Sequence, residues 1–298
     1  MKRVLIAVAL STCALIATAQ APRPDALRIP GTGVTLVPPP GLTIAGAGPT
    51  LIDESAGEAF ISFSQTEPRL ALDRNPMWRG GVFPSEPEHL EGELTGDLYV
   101  RTRENDGGGW DGWLLSITKG DKNLTVLATY TGISPETFRR FKEHLLTISW
   151  DPTIADPELA VGVSLTPKGL QVVRGGFGGG AYNRAGVFGA PDPSILVQAL
   201  PIPAMKSADI FPAGCKESIS AGVGSESIVG PLAKETQTHS YCEGWSKKSS
   251  PKMRYLALIR LASGSIISVG GGADAADFDA ALPVFREAVA TLRVLSRP

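Results

Sequence analysis

Few residues in this chain have the types and spacing that chemistry requires. Cys215 and Cys242 stand 27 positions apart, and His239 shares the segment His239-Ser240-Tyr241-Cys242 with the second of them. A zinc site or a catalytic thiol is one way to use such a group. Zinc wants three or four ligands at tight spacing, and no H-x-x-x-H or C-x-x-C string supplies them. A disulfide is the simpler expectation for two cysteines in an exported chain, worth roughly 3–4 kcal/mol for a loop of that length.

Hydrolytic chemistry is no better provided for. The chain has no G-x-S-x-G elbow, and Ser225 and Ser265 sit near glycines without the strand-to-helix turn that such a nucleophile needs. Its three histidines are His89, His144 and His239. His144 falls on an expected helix, as a surface or packing position, while His89 and His239 read as solvated loop residues. The run Arg174 to Ala181 holds a formal G-x-G-x-x-A at Gly176, Gly178 and Ala181. A dinucleotide site needs a helix to open there, and Tyr182 to Pro191 reads as strand or loop instead. No cofactor and no metal are expected.

The strongest local oddity is Asn105-Asp-Gly-Gly-Gly-Trp-Asp-Gly-Trp113. Calcium needs six to eight oxygens from regularly spaced ligands, and glycines occupy those places here. Trp110, Asp111 and Trp113 remain as candidates for ligand contact, with Trp113 also expected to pack within a sheet.

These residues must be positioned by elements, and the elements begin after a leader. Lys2 and Arg3 precede an apolar run from Val4 to Ala19, and Ala17-Thr18-Ala19 offers the small residues of a cleavage site. Residues 1–19 are therefore expected to be a Sec-type signal peptide cut after Ala19, with 20–29 as an N-terminal tail. Cleavage leaves no membrane span and places the chain in the periplasm or outside the cell. It also removes Cys13 together with two of the 28 basic residues, so 26 face 30 acidic ones and the net charge moves from −2 to −4. Without a basic stripe, phosphate-held nucleic acid is excluded as a partner.

The remaining chain repeats itself. Gly33 to Leu42 matches Gly162 to Leu170, Phe60 to Pro68 matches Ile195 to Pro203, Asp111-Gly112-Trp113 matches Glu243-Gly244-Trp245, and Phe141 to Trp150 matches Phe285 to Val294. Four matches in one order imply two copies of one domain, 30–150 and 159–298, joined by a linker at 151–158. In each copy, alternating apolar residues predict strands. They include a hairpin of Trp113–Thr118 with Leu124–Tyr130, repeated as Met253–Leu261 with Ser265–Val269. Both copies end in a helix: Ser134 caps Pro135 onward, and Asp274 caps the stripe Phe278, Leu282, Phe285, Val289 and Leu292. Glu86, Glu88, Leu90 and Leu94 suggest a further helix between Pro84 and Tyr99. The expected class is α+β, each copy an antiparallel sheet covered by helices.

In Pro40-Gly41-Leu42, Gly112-Trp113 and Thr147-Ile148-Ser149-Trp150, with their second-copy equivalents, the chain resembles the PsbP/Mog1-like α/β/α sandwich, here in tandem. The resemblance implies a scaffold used by accessory and binding proteins, with no functional residue carried over by position. The resulting expectation is an exported, non-enzymatic envelope protein that binds a protein or small-molecule partner. The alternative is a hydrolase-type enzyme with a dispersed site in the cleft between the copies.

Overall fold

The computed structural model describes residues 25–54, 59–74, 83, 86–91, 94–102, 111–131, 135–174, 176, 178–187, 193–200, 214–223, 227–229, 234–235, 239–246 and 251–296. In the first part of the chain lie β1 (Leu27–Ile29), β2 (Val34–Leu36), β3 (Thr43–Ile44), β4 (Thr50–Ile52), β5 (Ala59–Thr66), β6 (Glu88–Leu90), β7 (Gly96–Arg101), β8 (Asp111–Lys119), β9 (Lys122–Tyr130), α1 (Pro135–Leu145) and β10 (Ser149–Trp150). After α2 (Pro157–Val161) come β11 (Val163–Ser164), β12 (Gln171–Val172), β13 (Gly180–Asn183), β14 (Ser194–Ala199), α3 (Cys215–Val223), β15 (Ser227–Val229) and β16 (Lys234–Glu235). The chain closes with β17 (His239–Ser246), β18 (Lys252–Leu261), β19 (Ile266–Asp274), α4 (Phe278–Ala290) and β20 (Arg293–Val294). Antiparallel sheet dominates and helices are few. Among the described residues no helix is long and apolar enough to cross a membrane.

Two large sheets carry the fold. The first runs β3-β4-β5-β9-β8-β7-β6 and the second β12-β13-β14-β19-β18-β17-β15, with β16 paired to β17 off that path. Numbered by chain order and leaving β16 aside, both read 1-2-3-7-6-5-4. One transverse row of the first sheet holds Ile44, Leu51, Ile61, Ala128, Trp113 and Val100. The row of the second that occupies the same strands holds Val172, Tyr182, Ile195, Gly271, Tyr255 and Trp245.

This register corrects two of the sequence matches. Ile195 stands level with Ile61, not Phe60: Ile61 and Ile195 are buried, whereas Phe60 lies on the opposite face of β5. A one-residue slip exchanges the two faces of a strand, and string similarity cannot sense it. The Gly-Trp pairs also part company. Trp113 lies on the sixth strand of its sheet and Trp245 on the fifth, so the counterpart of Trp113 is Tyr255 and that of Trp245 is Val100.

Apolar alternation explains which face is covered. In β5, Ala59, Ile61 and Phe63 point inward while Ser62 and Ser64 point out. The inward face meets Phe141 and Leu145 of α1, and in the second sheet Phe278, Phe285 and Val289 of α4 play that part. The opposite faces carry smaller clusters: Phe83, Tyr99 and Leu114 on the first sheet, and Cys215, Ile219, Cys242 and Leu258 on the second, under α3.

Other boundaries differ from expectation. Within Pro84–Tyr99 the described residues form a hairpin, because Leu90 reaches the first core by pairing β6 to β7 rather than by a helical stripe. The helix α4 starts at Phe278 with Asp277 at the cap position, while Asp274 ends β19 and pairs with Lys252 at 3.0 Å. Ser134 lies outside the described residues. The expected linker ends inside α2, which Asp156 caps by accepting from the Leu159 amide at 2.9 Å. Ala160 of that helix is buried in the first core and Val161 in the second, so the connection is anchored at both sides.

Candidate functional site

The structure separates the residues singled out above. Trp110 lies outside the described residues. Asp111 opens β8 opposite Tyr130, half-buried. Trp113 is only 8% exposed and packs in the first core, with the Lys142 ammonium 5.9 Å from its ring centroid. Lys142 also pairs with Glu88 across to β6. Trp113 is thus a wall residue held under a cation.

The histidines divide three ways. His89 lies on a strand, exposed, with its Nδ1 2.7 Å from Asp97 Oδ1. His144 Nδ1 is 3.2 Å from the Val37 carbonyl. His239 begins β17 and is buried, contrary to the loop expected for it. Burial lowers its pKa below the ordinary histidine value, and a hydrogen bond with the Val289 main chain works the other way. Cys215 and Cys242 form a disulfide across a Cα separation of 6.2 Å, tying the first residue of α3 to β17.

Sequence reasoning missed an elaborate polar cluster. Glu243 has no exposed surface. Arg286 of α4 donates to it through Nε at 3.0 and 3.2 Å and through Nη2 at 2.6 Å, and the Tyr255 hydroxyl donates at 2.9 Å. The guanidinium carbon also sits 5.2 Å from the Trp245 ring centroid. Burial pushes the Tyr255 hydroxyl far above the usual phenol range, with the Glu243 charge adding to it. Arg286 is held above its usual value chiefly by its bond to Glu243. Both carboxylate oxygens are engaged, so this cluster clamps a helix to a sheet. Its only sequence signal is the glutamate of Glu243-Gly244-Trp245, which reads as a strand residue.

Among the described residues, two hollows lie beside residues 150–156. One hollow of about 430 Å³ is lined by Gln65, Lys119, Asp121, Lys122, Pro152 and Thr153. A second, of about 540 Å³, lies beside Arg28, Pro30, Ile154, Asp156 and Leu159, and Ala155 borders both. The residues around the first hollow are well tied. The Trp150 indole donates to Gln65 Oε1 at 3.0 Å, and Gln65 Nε2 donates to the Pro152 carbonyl at 3.2 Å. Lys119 donates to the Trp150 carbonyl at 2.9 Å and lies 5.7 Å from its ring centroid. Thr153 bonds Asp151 Oδ1 through both its amide and its hydroxyl, at 2.9 and 2.7 Å, which holds that carboxyl below the usual range.

The turn 45–49 crosses from the first half of the chain to the second. The Gly48 amide donates to the Val161 carbonyl at 2.9 Å, and Ala47 is buried in the second core. A Cβ at Gly48 would stand 2.5 Å from Ala199 Cβ, and one at Gly46 would overlap Ser265 Oγ. In return Gly178, at φ +119°, lies so close to Ser64 that a Cβ there would overlap it. Among the described residues no group of three or more His, Cys, Asp or Glu is placed to hold a metal ion.

No family model matches the chain, and no curated protein matches it. Among solved structures, one named as a thioesterase II from Thermobifida fusca aligns at 11% identity, covering 84% of this chain and 94% of its own, with a TM-score of 0.18. A likeness at that score supports neither a shared fold nor a shared activity.

Proposed function

We propose that this chain is an exported, non-enzymatic protein of the cell envelope that binds a partner through the hollows beside residues 150–156. The observation that carries the reading is the setting of those hollows. They are open, of mixed polarity, and walled by a segment that is anchored in the first core at Trp150 and runs on into α2, whose Val161 enters the second core, as a preformed binding surface should be. Two copies of one PsbP/Mog1-like domain, 30–150 and 159–298 around a linker at 151–158, account for the shared strand order and the matching transverse rows. The disulfide fits an oxidising compartment, in keeping with export and cleavage after Ala19.

The test is capture of partners by the mature protein in its native envelope, with mass spectrometry of what is retained. One saturable partner, lost when Leu159→Asp places a charge in the larger hollow, supports the reading. Retention of nothing above background, or a mature N-terminus at Met1 rather than Gln20, overturns it.

A further inference from the structure

The transverse rows allow the two halves to be superposed residue by residue. Ile61 stands level with Ile195, so Gln65 corresponds to Ala199. On the last two strands Lys119 corresponds to Leu261 and Lys122 to Ser265. In the second half that place is filled: the turn 45–49 lies against Ala199 and Ser265, with Ala47 sunk into the core. In the first half Trp150 and Pro152 close over Gln65 itself, and the hollow opens beside them, lined by Gln65, Lys119 and Lys122. The described residues of the corresponding turn in the second half do not line it. Gly178 settles on Ser64 instead, one residue along β5 and on its other face.

We infer that this hollow is a docking slot for a small-residue turn of a protein partner, the counterpart of the turn that fills the equivalent slot from within the chain. The inference rests on the binding function proposed above and names the occupant of one of its two hollows. The chemistry of the lining says what the turn presents. Apolar Leu261 and small Ser265 are replaced by Lys119 and Lys122. Lys119 already donates to one main-chain carbonyl, that of Trp150. Lys122 lies 3.6 Å from Asp121 Oδ2, so the mouth carries donors and an acceptor together, which suits the carbonyls and amides of a tight turn, and glycines or alanines at its tip allow the close approach seen at Gly46 and Gly48.

The probe is a cyclic peptide carrying the sequence Ile44-Ala-Gly-Ala-Gly-Pro49, titrated into isotope-labelled, full-length mature protein and followed by amide chemical shifts. The expected result is saturable shifts at 119–122, at Thr153 and at the Gln65 side-chain amide. Thr153 is exposed, so Thr153→Trp fills the slot from its rim and should weaken binding about tenfold or more, equivalent to about 1.4 kcal/mol. Lys122→Leu should weaken it as well, and an unchanged thermal midpoint shows that either variant is folded. No saturable shift, or equal binding by Thr153→Trp, overturns the slot. A partner captured equally by wild type and Thr153→Trp also overturns it, while leaving the binding function standing. Peptide binding with no partner captured does the reverse.

Discussion

Arg286 grips both carboxylate oxygens of Glu243, with the shortest contact at 2.6 Å, and does so from the helix that covers the second sheet. The residue at the place of Glu243 in the first sheet is Leu98, also buried, so the same fold position tolerates an apolar side chain. The ion pair is therefore a local solution to packing α4, and removing Arg286 leaves the fully buried Glu243 carboxylate without its counter-ion.

Arg286→Met is expected to lower stability by about 3 kcal/mol, since it strands a buried carboxylate. Adding Glu243→Leu to that variant should recover most of the loss, as the pair then becomes the apolar packing of the first sheet. Urea unfolding of the two variants and the wild type measures both terms. A double variant no more stable than Arg286→Met would show that Glu243 has a role beyond the pair.

Much of this fold is legible in the chain, and the limits of that legibility are physical. The hairpins of β8 with β9 and β18 with β19 are written in alternation, and the terminal helices in their apolar stripes. Register is not written there: Phe60 and Ile61 both look apolar, and only pairing with β4 and β9 decides which faces inward. Glu243 is hidden for a related reason, because a carboxylate on a strand reads as solvated until a helix more than forty residues on lays an arginine over it. The hollow depends on Gln65, Lys119 and Pro152 meeting from three strands or strand ends far apart in sequence, and no local pattern announces such a meeting.

The disulfide offers a second test. Replacing Cys215 and Cys242 together by alanine should cost about 3 kcal/mol, in line with a closed loop of 27 positions. The loss should fall first on the small cluster of Ile219, Val223 and Leu258, since the bridge fixes α3 to β17 there. Amide exchange in α3 should accelerate before that in β19. Uniform acceleration of both would mean that the bridge supports the whole sheet.

Acid should weaken the fold through His239. Its folded pKa lies below the ordinary value of about 6.5, so the unfolded chain binds the proton more tightly. Its contribution to stability is complete above that ordinary value and is lost as pH falls through the lowered folded one. His239→Gln should flatten the dependence of unfolding free energy on pH below about 6.5. An unchanged slope would assign the acid sensitivity to the carboxylates.

The contact of Gly178 with Ser64 joins the two halves through backbone. Gly178→Ala must meet two costs, a left-handed φ of +119° and overlap with Ser64. Gly41, at φ +86° with nothing within 4 Å of a Cβ, meets the first cost alone. Gly41→Ala should therefore lose about 1 kcal/mol, and Gly178→Ala about 1–3 kcal/mol more from overpacking. Ser64→Gly, combined with Gly178→Ala, should return most of the excess, and a double-mutant cycle in thermal unfolding isolates that coupling. Additive effects of the two substitutions would mean that Gly178 and Ser64 do not press on each other in solution.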